Sequence, residues 1–157
     1  MKKLLFFLSI FISSYIFAQS DCSSAIALCQ DATVSYTPTG PGVQENLGGG
    51  CLSTEHFSVW YQFTAGSTGT LTFLITPNSQ SDYDFAVFGP NVACGALGAP
   101  LRCSYASTAS GILTGLNLTS TDLTEGAGGD GFVRYLDVIA GETYYLIVDN
   151  FSSSAVG

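Results

Sequence analysis

The chain has 157 residues, 46% hydrophobic and only 10% charged, with twelve acidic residues against four basic ones and a net charge of −8. Four basic residues cannot build the Lys/Arg patch that a phosphate backbone requires, which excludes nucleic acid as a partner. Five cysteines without a CxxC pair, and a single histidine, point away from zinc and toward disulfides.

Lys2 and Lys3 precede an apolar run over residues 4–17 that closes on Ala18, a small residue suited to cleavage. The run is shorter than the ~20 residues a membrane-spanning helix needs. Residues 1–18 therefore read as a signal peptide cut before Gln19, and residues 19–157 as one domain. Gln19, Ser20 and Asp21 lack the apolar-then-small pattern that would make Cys22 a lipidation site. Cleavage leaves Arg102 and Arg134 against all twelve acids, a net charge of −10. No later run is long and apolar enough to span a membrane.

Strand signals follow in order, with no helical stretch between them. Residues 33–37 suggest an early edge strand ended by Pro38. Phe57–Thr64 alternates: Phe57, Val59, Tyr61 and Phe63 face one way, and Ser58, Trp60, Gln62 and Thr64 the other. Residues 70–76 repeat that period of two, the mark of a half-buried strand. Residues 85–88 and 144–148 are continuous apolar runs, as in strands buried on both faces. Residues 132–138 form another strand, interrupted by Arg134. Glycine and proline clusters punctuate these segments as turns. The fold class expected is all-β, a jelly-roll-like β-sandwich. Residues 155–157 read as the approach to a further strand, so the sandwich is expected to lack its final strand.

Export permits disulfides. Cys94 and Cys103 bracket one glycine-containing loop and are expected to pair, with Cys29 joined to Cys51 and Cys22 left over. Cys51 lies close to His56, but disulfide chemistry is the better reading of an exported cysteine. There is no GxSxG and no HExxH.

Three acidic loops stand beside the strands: SDYDFAVFGP (81–90), TEGAGGDG (124–131) and VDNFS (148–152). Asp82 and Asp84 alternate around Tyr83 and share a face. Asp130 sits in a Gly-Gly-Asp-Gly turn, with Glu125 close by in sequence. Together with Glu55 these acids are expected to converge on one Ca²⁺, because a β-domain presents oxygen ligands to hard cations in this way. The competing reading is that each acid caps its own turn. Trp60, Tyr61, Tyr135, Tyr144 and Tyr145 read mainly as core. A sugar-stacking face is the alternative.

In order along the chain, EHFSVWYQF (55–63), DYDFAVFGPN (82–91), CGALGAPLRCS (94–104), TEGAGGDGFVRYLDV (124–138) and AGETYYLIVDN (140–150) carry a family likeness. They resemble the N-terminal domain of large secreted Bacteroidetes proteins that end in a gliding-motility-associated or type B sorting domain of the type IX secretion system. The last stretch is also similar to bacterial pre-peptidase C-terminal domains, small β-sandwiches attached to secreted enzymes. The resemblance implies passage to the cell surface or medium, a β-sandwich accessory domain, and no catalysis by that domain. The expected role is adhesion or ligand binding, with surface polysaccharide or another surface protein as partner. The alternative is an accessory domain of a secreted peptidase or glycosidase whose catalytic part lies beyond Gly157.

Overall fold

A computed structural model of the chain describes residues 19–29, 31, 33–107 and 113–152. The signal segment 1–18 and the terminal residues 155–157 lie outside the described residues. Eleven strands and one 3₁₀ turn (Cys22–Ser24) make up the regular structure there, and no α-helix is present among those residues. No helix among them is long and apolar enough to cross a membrane.

The strands are β1 (Ile26–Leu28), β2 (Phe57–Thr64), β3 (Gly69–Leu71), β4 (Phe73–Ile75), β5 (Tyr83–Phe88), β6 (Arg102–Ser104), β7 (Thr114–Asn117), β8 (Thr124–Glu125), β9 (Phe132–Arg134), β10 (Leu136–Val138) and β11 (Thr143–Asn150). Six of them form one sheet in the order β1-β2-β11-β5-β6-β8. The second layer holds a β10-β3 pair and a β4-β7-β9 sheet. The all-β sandwich expected from the alternation is the fold observed.

The long strands β2, β11 and β5 pair antiparallel in a register that aligns their two faces. Val59 stands opposite Val148, and Val148 opposite Phe85. Because the side-chain period is two, that row and its alternates share one face. On it Val59, Tyr61, Phe85, Val87, Tyr144, Leu146 and Val148 pack against Leu116, Val133, Leu136 and Val138 of the second layer. Phe63, Leu71 and Phe73 pack half-buried against the same core.

The opposite face carries Trp60, Ile147, Ala86, Phe88 and Cys103, all nearly inaccessible. No sheet covers it. Loop residues Cys22, Leu47, Leu52 and Leu97 do. Gly48 is essential to that cover: its φ is +73°, and a Cβ there would run into the Gly98 carbonyl of the neighbouring loop. Both faces of β5 are therefore buried at all six positions. That agrees with its unbroken apolar run.

Three local expectations need correction. Residues 33–37 are not a strand. The edge of β2 is taken instead by β1, which pairs with it in parallel, and by the Gln19 and Gly40 carbonyls, which accept from Trp60 N and Ser58 N. Segment 70–76 breaks at Thr72 into β3 and β4, and 132–138 breaks at Tyr135 into β9 and β10. The physical reason is β7. It wedges between β4 and β9, while β3 and β10 pair directly. Gly115 permits the wedge, since a Cβ there would overlap the Phe73 carbonyl.

Candidate functional site

The cysteines close long loops, contrary to the expected pairing of Cys94 with Cys103 and Cys29 with Cys51. Cys22 bonds Cys94 across 72 residues of sequence, and Cys51 bonds Cys103 across 52. Cys29 is an exposed free thiol. The reason is direction. Cys103 lies inside β6 and points to the Trp60 face, where the loop carrying Cys51 lies over it. Cys94 belongs to a different covering loop, over the Cys22 turn. Closeness in sequence says nothing about which face a strand residue takes. With Cys51 in a disulfide, it forms no thiol pair with His56.

Glu55 is buried beneath the same cover. Its Oε1 accepts from Glu45 N at 2.8 Å, and its Oε2 accepts from Ser58 Oγ at 2.8 Å and Trp60 Nε1 at 3.0 Å. Glu45 Oε1 in turn accepts from Cys22 N at 2.8 Å. Glu55 thus holds the covering segment to the sheet rather than a cation. Burial pushes its pKa up to about 8, and contact with the Glu45 side chain adds to the rise. The Glu45 N–H, Trp60 and Ser58 donors pull the other way without winning.

A carboxyl that keeps its proton in the native state but loses it near 4.5 in the unfolded chain makes stability fall as pH rises between those values. Asp84, raised to about 8 as well, acts in the same direction. In metal-free buffer the Tm should therefore be higher at pH 5 than at pH 8, with a slope of up to about 1.4 kcal/mol per pH unit per group. Glu55→Gln should flatten that slope. A wild-type Tm that climbs from pH 5 to pH 8 would show that Glu55 is ionised in the fold.

The other expected ligands are dispersed. Glu125 folds onto its own loop, accepting from Asp130 N at 3.1 Å and Gly131 N at 2.7 Å. Asp130 Oδ1 accepts from Phe132 N at 2.9 Å. These are turn-capping bonds. Asp82, Asp84, Glu125, Asp130 and Glu55 do not converge on one point. Among the described residues no three of His, Cys, Asp and Glu group closely enough to hold a metal between them.

What the structure does bring together is Asp82, Asp84 and Asp149. Asp84 and Asp149 face each other directly across β5 and β11, and both are buried. Asp149 is fully engaged: Oδ1 accepts from His56 N and Oδ2 pairs with His56 Nδ1, each at 2.8 Å. Its pKa is raised by burial, against the pull of His56. For Asp84 burial is the main cause of the rise, followed by the charges of Asp82 and Asp149. Burial also raises Asp82. Asp149 was visible in the sequence only as an acid closing a buried run. Its register opposite Asp84 depends on strand order.

A second feature lies between the layers. A cleft of about 330 Å³ runs beside β4, walled by Tyr36, Tyr61, Phe73 and Tyr83 and rimmed by Ser35 and Asn78. Among the described residues its lining contains no carboxylate, lysine, arginine, histidine or cysteine. Tyr36 OH donates to Gln19 Oε1 at 2.8 Å. Burial, with the nearby Tyr36 and Tyr83 phenols, pushes Tyr61 up to about 12. Three tyrosines thus share one cleft with apolar, hydroxyl and amide side chains. Of these only Tyr61 was singled out as an aromatic worth weighing, because segment 33–37 reaches the cleft through the loop's path and not through any local pattern.

No protein-family model, no curated protein and no solved structure matches the chain, so the comparisons identify neither a pre-peptidase C-terminal-like domain nor a type IX sorting domain.

Proposed function

We propose that the protein is a non-catalytic, exported β-sandwich module that binds neutral carbohydrate of the cell surface through the tyrosine cleft. The observation that carries this reading is the lining itself. Ring faces and phenol hydroxyls supply what a sugar requires, an apolar surface for its C–H face and hydrogen-bond partners for its hydroxyls. Beside its three phenols the described lining offers only hydroxyl, amide and apolar side chains, which suit the neutral hydroxyls and C–H faces of a sugar. The acidic surface favours a neutral glycan over a polyanionic one. Two disulfides fit an extracellular working place.

The test is affinity electrophoresis through gels loaded with neutral or acidic polysaccharides. A neutral polysaccharide should retard the protein, and Tyr36→Ala should weaken the retardation at least about tenfold, the loss of one aromatic stacking contact and its hydroxyl. Tyr36 is half-exposed and packs against the core from its edge, so Tyr36→Phe, which keeps the packing and removes only the hydroxyl, is run beside it and should weaken retardation less. Equal mobility of wild type and Tyr36→Ala in every gel would refute the proposal.

A further inference from the structure

We infer that Asp82 and Asp84 form a binding site for a hard divalent cation, of Ca²⁺ or Mg²⁺ type, at the start of β5. The inference is independent of the cleft and of carbohydrate binding. It rests first on two orphaned oxygens. Asp82 Oδ1 and Asp84 Oδ1 are both shut off from solvent, and neither has a hydrogen-bond partner. Asp84 is only 5% exposed. A buried carboxylate oxygen without a donor is costly, and native folds leave few of them. Here two occur two residues apart, one just before β5 and one at its second position.

The surroundings narrow what could satisfy them. Asp149 stands opposite Asp84 and adds negative potential, but its own oxygens are taken by His56. It offers no donor to Asp84. Arg102 is engaged by backbone carbonyls, and Arg134 by Asp137 at 3.5 Å. Neither of the two arginines therefore serves these acids. A cation would supply the charge that the protein does not.

The site is also held in place. Asp82 N donates to Ser152 Oγ at 3.1 Å, and Phe151 N donates to Asp82 O at 2.9 Å. Ser81 Oγ donates to Asn150 Oδ1 at 2.7 Å. These bonds fix the loop before β5, and with it the Asp82 backbone, to the end of β11. Asp82 is half-exposed, so an outward swing of its side chain is what admits an ion to the two closed-off oxygens. With two protein carboxylates, the remaining coordination positions are water and carbonyl oxygen, an arrangement that suits hard cations and not Zn²⁺. Glu125, Asp130 and Glu55 take no part.

The protein should be stripped with EDTA and titrated with Ca²⁺, Mg²⁺ and, as a luminescent probe, Tb³⁺. Emission from Tb³⁺ excited through Tyr83 or Trp60 should appear and be displaced by Ca²⁺ or Mg²⁺. The Tm should rise by roughly 10 °C at a hundredfold excess of the physiological ion over its Kd. Asp84→Asn should abolish both responses while remaining folded, since it keeps the shape and the neutrality that the protonated carboxyl has without an ion. Asp82→Asn should weaken them, and Asp130→Asn should leave them unchanged. Persistence of the emission and the Tm shift in Asp84→Asn would overturn the assignment, as would a wild-type melting curve that EDTA and added ions leave unmoved. Glycan retardation in EDTA reports separately on the cleft.

Discussion

Reduction of Cys22–Cys94 and Cys51–Cys103 should strip the loop cover from the Trp60 face and leave the chain largely unfolded at 37 °C. Each bond closes a long loop of the unfolded chain, and loss of such a native disulfide costs about 2–5 kcal/mol. Two together approach the whole stability of an ordinary domain, about 5–15 kcal/mol. The geometry makes the dependence acute here. The face bearing Trp60, Ile147 and Phe88 has no second sheet over it, only loops with a handful of apolar side chains. Without the cross-links those loops must be ordered against their conformational entropy by that small contact alone. Trp60 is wholly inaccessible, so its emission should shift to the red on reduction. The Cys51→Ala/Cys103→Ala variant should lose several kcal/mol by itself. Peptide mapping without reductant should recover Cys22 joined to Cys94. A reduced protein with native tryptophan emission and an unchanged Tm would contradict this account.

Arg102→Ala should destabilise the protein by about 3–5 kcal/mol, because it orphans two buried carbonyls at about 1–3 kcal/mol each. Arg102 sits on the core face of β6, and its guanidinium spans the gap between the layers. Nε donates to Arg134 O at 2.8 Å and Tyr135 O at 3.1 Å, Nη2 to Tyr135 O at 2.8 Å, and Nη1 to Leu101 O at 2.6 Å. The Arg134 and Tyr135 carbonyls are those freed where β9 ends and β10 begins. The bend that admits β7 thus leaves two buried acceptors, and Arg102 satisfies both. Burial, with Arg134 nearby, pulls its pKa down, a sign that the environment bears a cost for the charge. Lysine has no planar fork to reach both carbonyls, so Arg102→Lys should recover less than half of the loss. Arg102→Met should restore packing but leave the carbonyls orphaned, at about 1–3 kcal/mol for each unsatisfied group. Urea denaturation measures all three. A loss below about 1 kcal/mol for Arg102→Ala would mean that water reaches the break.

The glycan and cation proposals make separable demands on the molecule. The cleft lies between the layers beside β4, while Asp82 and Asp84 lie where β5 meets the end of β11. Tyr83 belongs to both neighbourhoods, its ring on the cleft side and its backbone between the two aspartates. Substitutions at Tyr36 and at Asp84 keep the two readings apart.

The amino-acid sequence by itself determined the class of structure and the sides of its main strands. Phe57–Thr64 alternates without a fault, so Val59 and Tyr61 had to face one layer and Trp60 the other. The unbroken apolar runs around Phe85 and Leu146 announced strands buried on both faces. Such information is local: a period of two is written in consecutive residues. Tertiary structure alone decided the rest. Which cysteine meets Cys103, and that Asp149 stands opposite Asp84, depend on strand order, which no neighbouring residue encodes. The acids show the limit best. Glu55, Glu125 and Asp130 share a residue type with Asp82 and Asp84, yet the first three fold back onto nearby N–H groups. Of the five, only the latter two carry a buried oxygen without a donor. Burial and partnership arise when distant segments close over one another, and that closure distinguishes a capped turn from a site.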